Sequence, residues 1–267
     1  MDTLLIILLV FAILMLATTF LLKKKKLKPV RPVPEKYRQL LKRYVGFYNY
    51  LIDEKKIEFE NRLQVFLSEV RITGVKTTVE DIDRVLIASS AIIPIFGFPG
   101  WEYVNLHEVL LYPDSFSHEL ALEGPHRNTT GMVGTGAYQH IMILSQHDLR
   151  KDFLNKHGKD NTAIHEFVHL VDKIDGSIDG IPEFILSRKY ILPWLNLMHR
   201  EIKLIMTNHS DINPYGTTNE AEFFAVVSEY FFERPDLLQA KHPELYNILA
   251  TIFRQSQLQS EQKPEKI

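Results

Sequence analysis

The amino-acid sequence predicts an α+β fold in which helices dominate a small mixed sheet, preceded by one N-terminal transmembrane helix. Three observations favour this fold class. A long apolar run opens the chain, apolar residues then recur at three- and four-residue spacing, and two short apolar runs lie between turn residues. Hydrophobic residues make up 45% of the 267 positions, which is enough for a substantial core.

Composition and charge exclude several classes of protein. The formal net charge is −2, with 31 Lys and Arg against 33 Asp and Glu, so the basic surface typical of nucleic-acid binders is missing. We therefore expect no direct nucleic-acid binding. The chain has no Cys, which excludes a disulfide scaffold, a thiol nucleophile, Cys-ligated zinc and a lipidated-Cys anchor.

The opening apolar run predicts a membrane span. Leu4 to Leu22 contains only Thr18 and Thr19 as polar residues, and as a helix it would reach about 28 Å, close to the thickness of a bilayer core. Lys23 to Lys26 follow the run, and no Lys or Arg precedes it. The positive-inside rule then predicts an uncleaved, single-pass membrane protein with its N-terminus outside and its catalytic domain cytoplasmic.

The remaining chain divides into a tether, one folded domain and a tail. Three prolines follow the lysines and favour an extended spacer. A polar segment without apolar periodicity ends the chain. The predicted divisions are the anchor 1–22, the basic, proline-containing tether 23–34, the folded domain 35–255 and the frayed tail 256–267.

Within the domain, helices come first. Apolar spacing predicts two amphipathic helices that end near Val70. Thr78 and Asp81 resemble a capping box for a third helix, which would run to about Ile92. Strand-like runs follow at Glu108 to Tyr112 and His140 to Ser145. Helical spacing then returns over 161–173, 193–206, 219–232 and 242–254.

The segment around position 165 predicts a metal site. His165 and His169 are four residues apart, so on a helix both imidazoles lie on one face and can bind one ion. Glu166 is turned about 100° from His165, which places it beside the ion, where a general base for a metal-bound water would act. Apolar neighbours indicate that this helix is buried.

A catalytic zinc ion needs a third protein ligand. The best source is the helix that carries Glu222 and Glu229, which are seven residues apart and share an apolar face. Spacing alone leaves both open as ligands, and Glu229 could instead orient a ligand histidine. Asp172, three residues past His169, either orients a ligand imidazole or forms a salt bridge on the helix surface.

Several longer motifs resemble one known family. HEFVHLVD (His165 to Asp172), DGIPE (Asp179 to Glu183), EAEFFAVVSEYFF (Glu220 to Phe232) and PELY (Pro243 to Tyr246) are similar to motifs of the Mlc titration factor A family. That family consists of zinc-dependent peptidases of the gluzincin type. The resemblance extends over residues 35 to 255 and implies a zincin-like peptidase domain.

The resemblance also implies roles for particular residues. It places one zinc ion per chain on His165, His169 and Glu222, and it makes Glu166 the catalytic base. A tyrosine seven residues before the third ligand matches Tyr215, which could donate a hydrogen bond to the developing oxyanion.

Two features depart from the family pattern. The lysine-flanked anchor is foreign to the soluble founding member, so localisation cannot be transferred. Gln146 stands where many relatives have Trp, near a predicted edge strand ending at Ser145, and this puts substrate preference in doubt. We expect that strand to pair with an extended peptide substrate.

The leading hypothesis is a membrane-tethered zinc metallopeptidase, aminopeptidase-like and acting on short peptides. The alternative is a regulatory protein that sequesters a transcriptional repressor, with weak or incidental proteolysis. A scaffold with a structural zinc is a weaker hypothesis, because such sites fill all four positions, usually with Cys.

Overall fold

The computed structural model describes residues 32–117, 129–134 and 139–255, which belong to one compact unit that begins at Pro32. Within these ranges no helix is both long and apolar enough to cross a bilayer. The predicted span from Leu4 to Leu22 lies outside the described residues, as do the tether up to residue 31 and the tail 256–267.

The described residues form ten α-helices, which hold more than half of these residues and confirm the helix-rich α+β prediction. In chain order they are α1 (Glu35–Tyr44), α2 (Gly46–Tyr50), α3 (Asp53–Glu69), α4 (Asp81–Ile95), α5 (Gln146–Leu154), α6 (Thr162–Asp172), α7 (Ile191–Met206), α8 (Glu220–Glu233), α9 (Pro235–Lys241) and α10 (Pro243–Phe253). Three short 3₁₀ helices lie at Lys173–Asp175, Arg188–Tyr190 and Pro214–Thr217.

The start of α4 differs from the sequence prediction. The capping box uses Glu80 and Asp83, not Thr78 and Asp81: the Glu80 side chain accepts from the Asp83 backbone N–H, and the Glu80 N–H donates to the Asp83 carboxylate at 2.8 Å. The motif is therefore shifted by two residues. A carboxylate serves the capping position here because it accepts the free N–H groups of the first turn.

The described sheet has four strands. It contains both parallel and antiparallel pairs, so the prediction of a small mixed sheet is confirmed. The strands are β1 (Arg71–Gly74), β2 (Glu108–Tyr112), β3 (Gly131–Val133) and β4 (Ile141–Ser145). Their spatial order is β1-β2-β4-β3, in which β1, β2 and β4 are parallel and β3 is antiparallel to β4. The β3 strand therefore forms one edge of the sheet, next to α6.

Helix α6 lies at the centre of the domain, where it contacts α4, α8, β3 and β4. Its apolar residues, such as Phe167 and Val168, are fully buried in the main core. Phe223 and Phe224 of α8 enter the same core, and both pack against Trp194 of α7, Phe223 at a tilt and Phe224 edge-to-face. This packing fixes α6 and α8 side by side and leaves one polar face of each towards a cleft.

Candidate metal centre

The capping residue of helix α6, Asn161, both caps this helix and forms hydrogen bonds to α8. Asn161 accepts the Ile164 N–H with its side-chain oxygen at 3.1 Å, which caps the helix. Its own backbone N–H and side-chain amide donate to Glu229 and Glu233 of α8, at 2.5 and 2.7 Å. The cap therefore also sets the register between the two helices that form the centre.

Three ligand-type atoms converge between α6 and α8. Nε2 of His165 lies 3.1 Å from Nε2 of His169 and 2.9 Å from Oε2 of Glu222. The distance from Nε2 of His169 to the same carboxylate oxygen is 3.6 Å. The structure thus brings together the three predicted ligands in a group that could hold a metal ion.

The protonation of His165 tests whether the group fits a cation. Nδ1 of His165 lies 2.6 Å from Oε1 of Glu229, so this nitrogen carries the proton and donates to the carboxylate. In the neutral ring Nε2 then presents a lone pair. Nε2 of His165, Nε2 of His169 and Oε2 of Glu222 lie within 3.6 Å of one another, so a cation between them would satisfy all three atoms. Two imidazoles and one carboxylate form the His₂Glu set that catalytic zinc sites use.

The electrostatics of Glu222 and Glu229 differ. Burial raises the pKa of Glu222, but interactions with His165 and His169 outweigh burial and lower the pKa to about 2. Burial also raises the pKa of Glu229, and there the opposing effect of His165 is too small to reverse it. Glu222 is therefore the carboxylate best suited to be a permanently charged ligand.

Glu166 lies beside the three ligands and faces the edge strand. Its side chain is 7% exposed, and among the described residues its carboxylate has no hydrogen bond or ion pair. Burial raises its pKa above the ordinary value. A Cβ at Gly131 would lie 2.6 Å from Cγ of Glu166, so only glycine permits β3 to pass this close to the carboxylate.

Tyr215 reaches the centre from the 3₁₀ helix before α8. Its ring centroid lies 6.0 Å from that of His165, and the side chain is 54% exposed. Partial burial and the carboxylates of Glu222 and Glu166 raise its pKa, so the phenol keeps its proton at neutral pH. The structure therefore places a hydrogen-bond donor beside the predicted ligands.

Asp172 does not lie on the helix surface, so the surface salt bridge considered for it is wrong. The residue is buried, and its Oδ2 accepts the Gly180 N–H at 2.8 Å. Gly180 has a φ of 76°, and a Cβ there would meet the Glu220 carbonyl oxygen. Nδ1 of His169 has no partner among the described residues. Asp172 thus fixes the turn that packs on the start of α8, and no hydrogen bond to His169 is seen.

The expectations for Ser145 and Gln146 are corrected. The β4 strand that ends at Ser145 pairs with β2 on one side and with β3 on the other, so it has no free edge for a substrate. Gln146 accepts from Thr77 at 2.7 Å and donates to Asp83 at 2.8 Å, which joins α5 to α4 away from the cleft. Among the residues that the structure describes, the sheet edge next to the candidate metal ligands belongs to β3, which pairs only with β4.

The centre lies at the bottom of a cleft with a volume of about 1130 Å³. One wall is formed by residues 129–133, including β3, and the opposite wall by the start of α8 and the turn at Asp179. Additional carboxylates, Asp160 and Glu220, line the cleft, whereas no lysine or arginine is found among the lining residues that the structure describes.

Sequence reasoning missed two residues of this arrangement. Gly131 is a loop marker in the sequence, and a three-residue strand leaves no period-2 signal. Asn161 is recognisable as a capping residue before an apolar helix, but its link to Glu229 and Glu233 depends on tertiary packing.

Comparisons with known proteins agree with this geometry. The sequence model of the glucose-regulated metallo-peptidase M90 family matches residues 20–254. An uncharacterized protein of Synechocystis sp. is 28% identical over 236 residues, covering 84% of this chain and 85% of the relative.

Proteins with the name Mlc titration factor A are also similar. The one from Pectobacterium atrosepticum is 28% identical over 225 residues, which cover 78% of this chain and 82% of the relative. The one from Salmonella arizonae is 31% identical over 206 residues, which cover 71% of this chain and 79% of the relative. These matches confirm the resemblance inferred from the motifs, and the chain belongs to the glucose-regulated metallo-peptidase M90 family.

Proposed function

We propose that this protein is a membrane-tethered zinc metallopeptidase that hydrolyses short peptides in the cytoplasm. The observation that carries the proposal is the convergence of His165, His169 and Glu222 beside Glu166, a buried carboxylate without a partner among the described residues. A structural metal site would leave no reason to keep such a carboxylate at the edge of a cleft.

Each residue of the centre has a separate role in the proposed reaction. When bound, zinc supplies a water of lowered pKa and polarises the substrate carbonyl. Glu229 holds the His165 ring in the tautomer that leaves Nε2 free. Glu166, with its pKa raised by burial, accepts a proton from the attacking water and delivers it to the leaving amine. The protonated phenol of Tyr215 donates to the developing oxyanion.

The cleft favours an extended peptide with a positively charged end. The outer edge of β3, which pairs with no other strand in the described part of the chain, can add an extended substrate backbone as a further strand, with its scissile carbonyl beside Glu166. Carboxylates in the wall, such as Asp179 and Glu220, attract a free amino terminus, and no lysine or arginine among the described lining residues opposes it. These features support an aminopeptidase-like preference.

Membrane tethering rests on the sequence alone. The apolar run from Leu4 to Leu22 and the lysines after it support an anchor with the domain on the cytoplasmic side. Cell fractionation tests this directly: the full chain should remain in the membrane fraction after alkaline carbonate extraction. Release into the supernatant would contradict the tether without affecting the peptidase proposal.

Replacement of Glu166 tests the chemistry. The full-length protein in detergent, loaded with zinc, should hydrolyse aminoacyl chromogenic amides, and E166Q should lower kcat about 10²–10⁴-fold while zinc content stays the same. The matched control E54Q changes an exposed glutamate of α3 and should leave turnover unaltered. Full turnover by E166Q would refute the proposed role of this carboxylate.

A second candidate function comes from the names of the relatives. Proteins called Mlc titration factor A suggest that this chain could also bind a transcriptional repressor. Stable zinc binding without hydrolysis of any amide in the panel would favour this alternative. Capture of a repressor by the inactive E166Q variant would test it directly.

A further inference from the structure

Four residues before Tyr215, one carboxylate collects hydrogen bonds from three separate elements. Oδ2 of Asp211 accepts from Tyr230 of α8 at 3.0 Å, from Lys241 at the end of α9 at 2.9 Å and from Lys159 at 3.2 Å. Lys159 also donates to the backbone carbonyl of Asp211. The carboxylate thus ties together elements that are far apart in the sequence.

The other oxygen of Asp211 completes the group. Oδ1 accepts from Nε2 of His242 at 2.8 Å, and Nδ1 of His242 lies 3.3 Å from Glu201 of α7. Burial raises the pKa of Asp211, but the hydrogen bonds from Lys241, His242 and Tyr230 outweigh burial and hold it well below its ordinary value. Asp211 is therefore charged at neutral pH, and its partners on three sides are cations or hydroxyl donors.

The chain between Asp211 and Tyr215 is fixed at each step. Ile212 is buried in the core with 2% exposure. Asn213 accepts the Tyr215 N–H with its side-chain oxygen at 3.0 Å, and its amide donates to Asp160 at 3.0 Å. The Tyr215 side chain, in contrast, is 54% exposed, and its ring packs on one side, that of His165. Its position therefore depends also on the backbone that carries it.

We propose that Asp211 is a positioning residue, which anchors the segment 211–215 and thereby holds the Tyr215 phenol at the metal centre. The inference rests on the proposed function, because it gives Tyr215 a part in turnover. It adds a residue that contacts neither the ligands nor the cleft: Asp211 is absent from the lining residues described. A displacement of about 1 Å at a reacting group can lower a rate 10²-fold, so such an anchor matters for turnover.

A double-mutant cycle tests whether Asp211 acts through Tyr215. In the full-length zinc-loaded protein, Y215F should lower kcat about 10²–10³-fold, as expected for one oxyanion donor. D211N should lower kcat by at least about tenfold but not beyond Y215F, with zinc content unchanged. In the Y215F background, D211N should then have no further effect on kcat.

Hydrogen exchange gives a second readout that does not depend on activity. Peptides covering residues 211–219 should exchange faster in D211N, because the Gly216 and Thr218 N–H groups are bonded within this segment. The matched control D236N removes an exposed carboxylate of α9 that pairs with Arg234, and should change neither exchange there nor kcat. If D211N does not fold, K241M removes one partner of Asp211 and should shift both readouts in the same direction, by less.

The outcomes separate this inference from the proposed function. Unchanged exchange over 211–219 in D211N and in K241M would overturn the anchor, as would an equal loss of kcat in the wild-type and Y215F backgrounds. Full turnover by Y215F would instead refute the catalytic part of Tyr215. In that case faster exchange in D211N would still support the anchoring of the segment.

Discussion

Two buried polar clusters in this protein differ in how their charges are satisfied. At the start of α4, Asp83 is fully buried and accepts from Arg150 at 2.7 and 2.9 Å, from Gln146 at 2.8 Å and from the Glu80 N–H at 2.8 Å. Every acceptor atom of Asp83 faces a donor. At the candidate metal centre, three ligand-type atoms of His165, His169 and Glu222 converge within 3.6 Å of one another instead.

This difference distinguishes a structural cluster from a functional one. The Asp83 cluster is complete within the protein, and its role is to fix α5 against α4. The candidate metal centre brings together three residues that could hold a cation, and Glu166 beside them has no hydrogen bond or ion pair among the described residues. Burial of unpaired charge is costly, so its retention at one place indicates a ligand rather than packing.

The largest effect is expected from the loss of a ligand. E222Q replaces the charged oxygen ligand, so the variant should lose stoichiometric zinc and all measurable turnover. Zinc should raise the thermal midpoint of the wild type, because an ion that binds only the folded state stabilises it, and this rise should vanish in E222Q. Metal analysis after dialysis and calorimetry with and without zinc measure both. A normal zinc-dependent rise in E222Q would show that Glu222 is not a ligand.

At the Asp83 cluster we expect the opposite result, a loss of stability without a loss of zinc binding. D83N removes the buried charged acceptor of Arg150, which keeps only its exposed pair with Glu80, and should lower the free energy of unfolding by about 1–3 kcal/mol. The zinc-dependent rise in midpoint should persist. Denaturant titration gives the loss, and D53N, whose side chain is almost fully exposed, serves as a control with an effect below about 1 kcal/mol. A stability equal to wild type in D83N would contradict the comparison.

A smaller loss of zinc affinity is expected from changing Glu229, which contacts the predicted ligand His165 rather than the ion. E229Q removes the charge that holds the Nδ1 proton of His165, so zinc affinity should fall about 10–100-fold. E233Q is the matched control, because Glu233 lies one turn further along α8 and bonds to Asn161 instead. Competition with a chelator measures both affinities. Equal affinities in the two variants would show that Glu229 does not act on the ligand.

The Asp211 carboxylate, like that of Asp83, accepts hydrogen bonds at both oxygens, but one of its donors, His242, has a side chain that titrates near neutrality. Hydrogen bonding to Glu201 raises the pKa of His242, burial lowers it, and Asp211 raises it further, so that the folded-state pKa lies above the unfolded value of about 6.5. Its contribution to stability is then full below pH about 6.5 and is lost as pH rises through the folded-state pKa.

In H242Q, the free energy of unfolding should therefore depend less on pH above about 6.5 than it does in the wild type. Denaturant titrations of wild type and H242Q between pH 6 and 9 measure the difference, which should narrow as pH rises. H209Q, which changes an exposed histidine, is the control. A constant difference across this range would contradict the assignment.

Long helices and strands with a clear apolar pattern were predicted from the sequence, whereas short elements were missed. The β2 strand was predicted with its observed bounds, and the helices that carry the ligands were predicted to within one or two residues. The β1 and β3 strands were missed because three or four residues that include a glycine give no periodic signal. Helix α5 was missed because it buries only Leu149 and Phe153.

Residue spacing also identified only some of the candidate metal ligands. Spacing identified His165 and His169 because four residues make one turn of a helix. Spacing could not separate Glu222 from Glu229, since both lie on one face of α8. The structure shows why: the two carboxylates contact opposite nitrogens of the same imidazole, Glu222 at Nε2 and Glu229 at Nδ1. That distinction requires the orientation of α8 against α6.

The placement of the ligands on two helices has a consequence for biosynthesis. His165 and Glu222 are 57 residues apart in the chain, and the intervening segment contains all of α7. During translation the first two ligands leave the ribosome well before the third is made. Until α8 has docked against α6, the chain therefore lacks the complete group of three residues that could hold a metal ion.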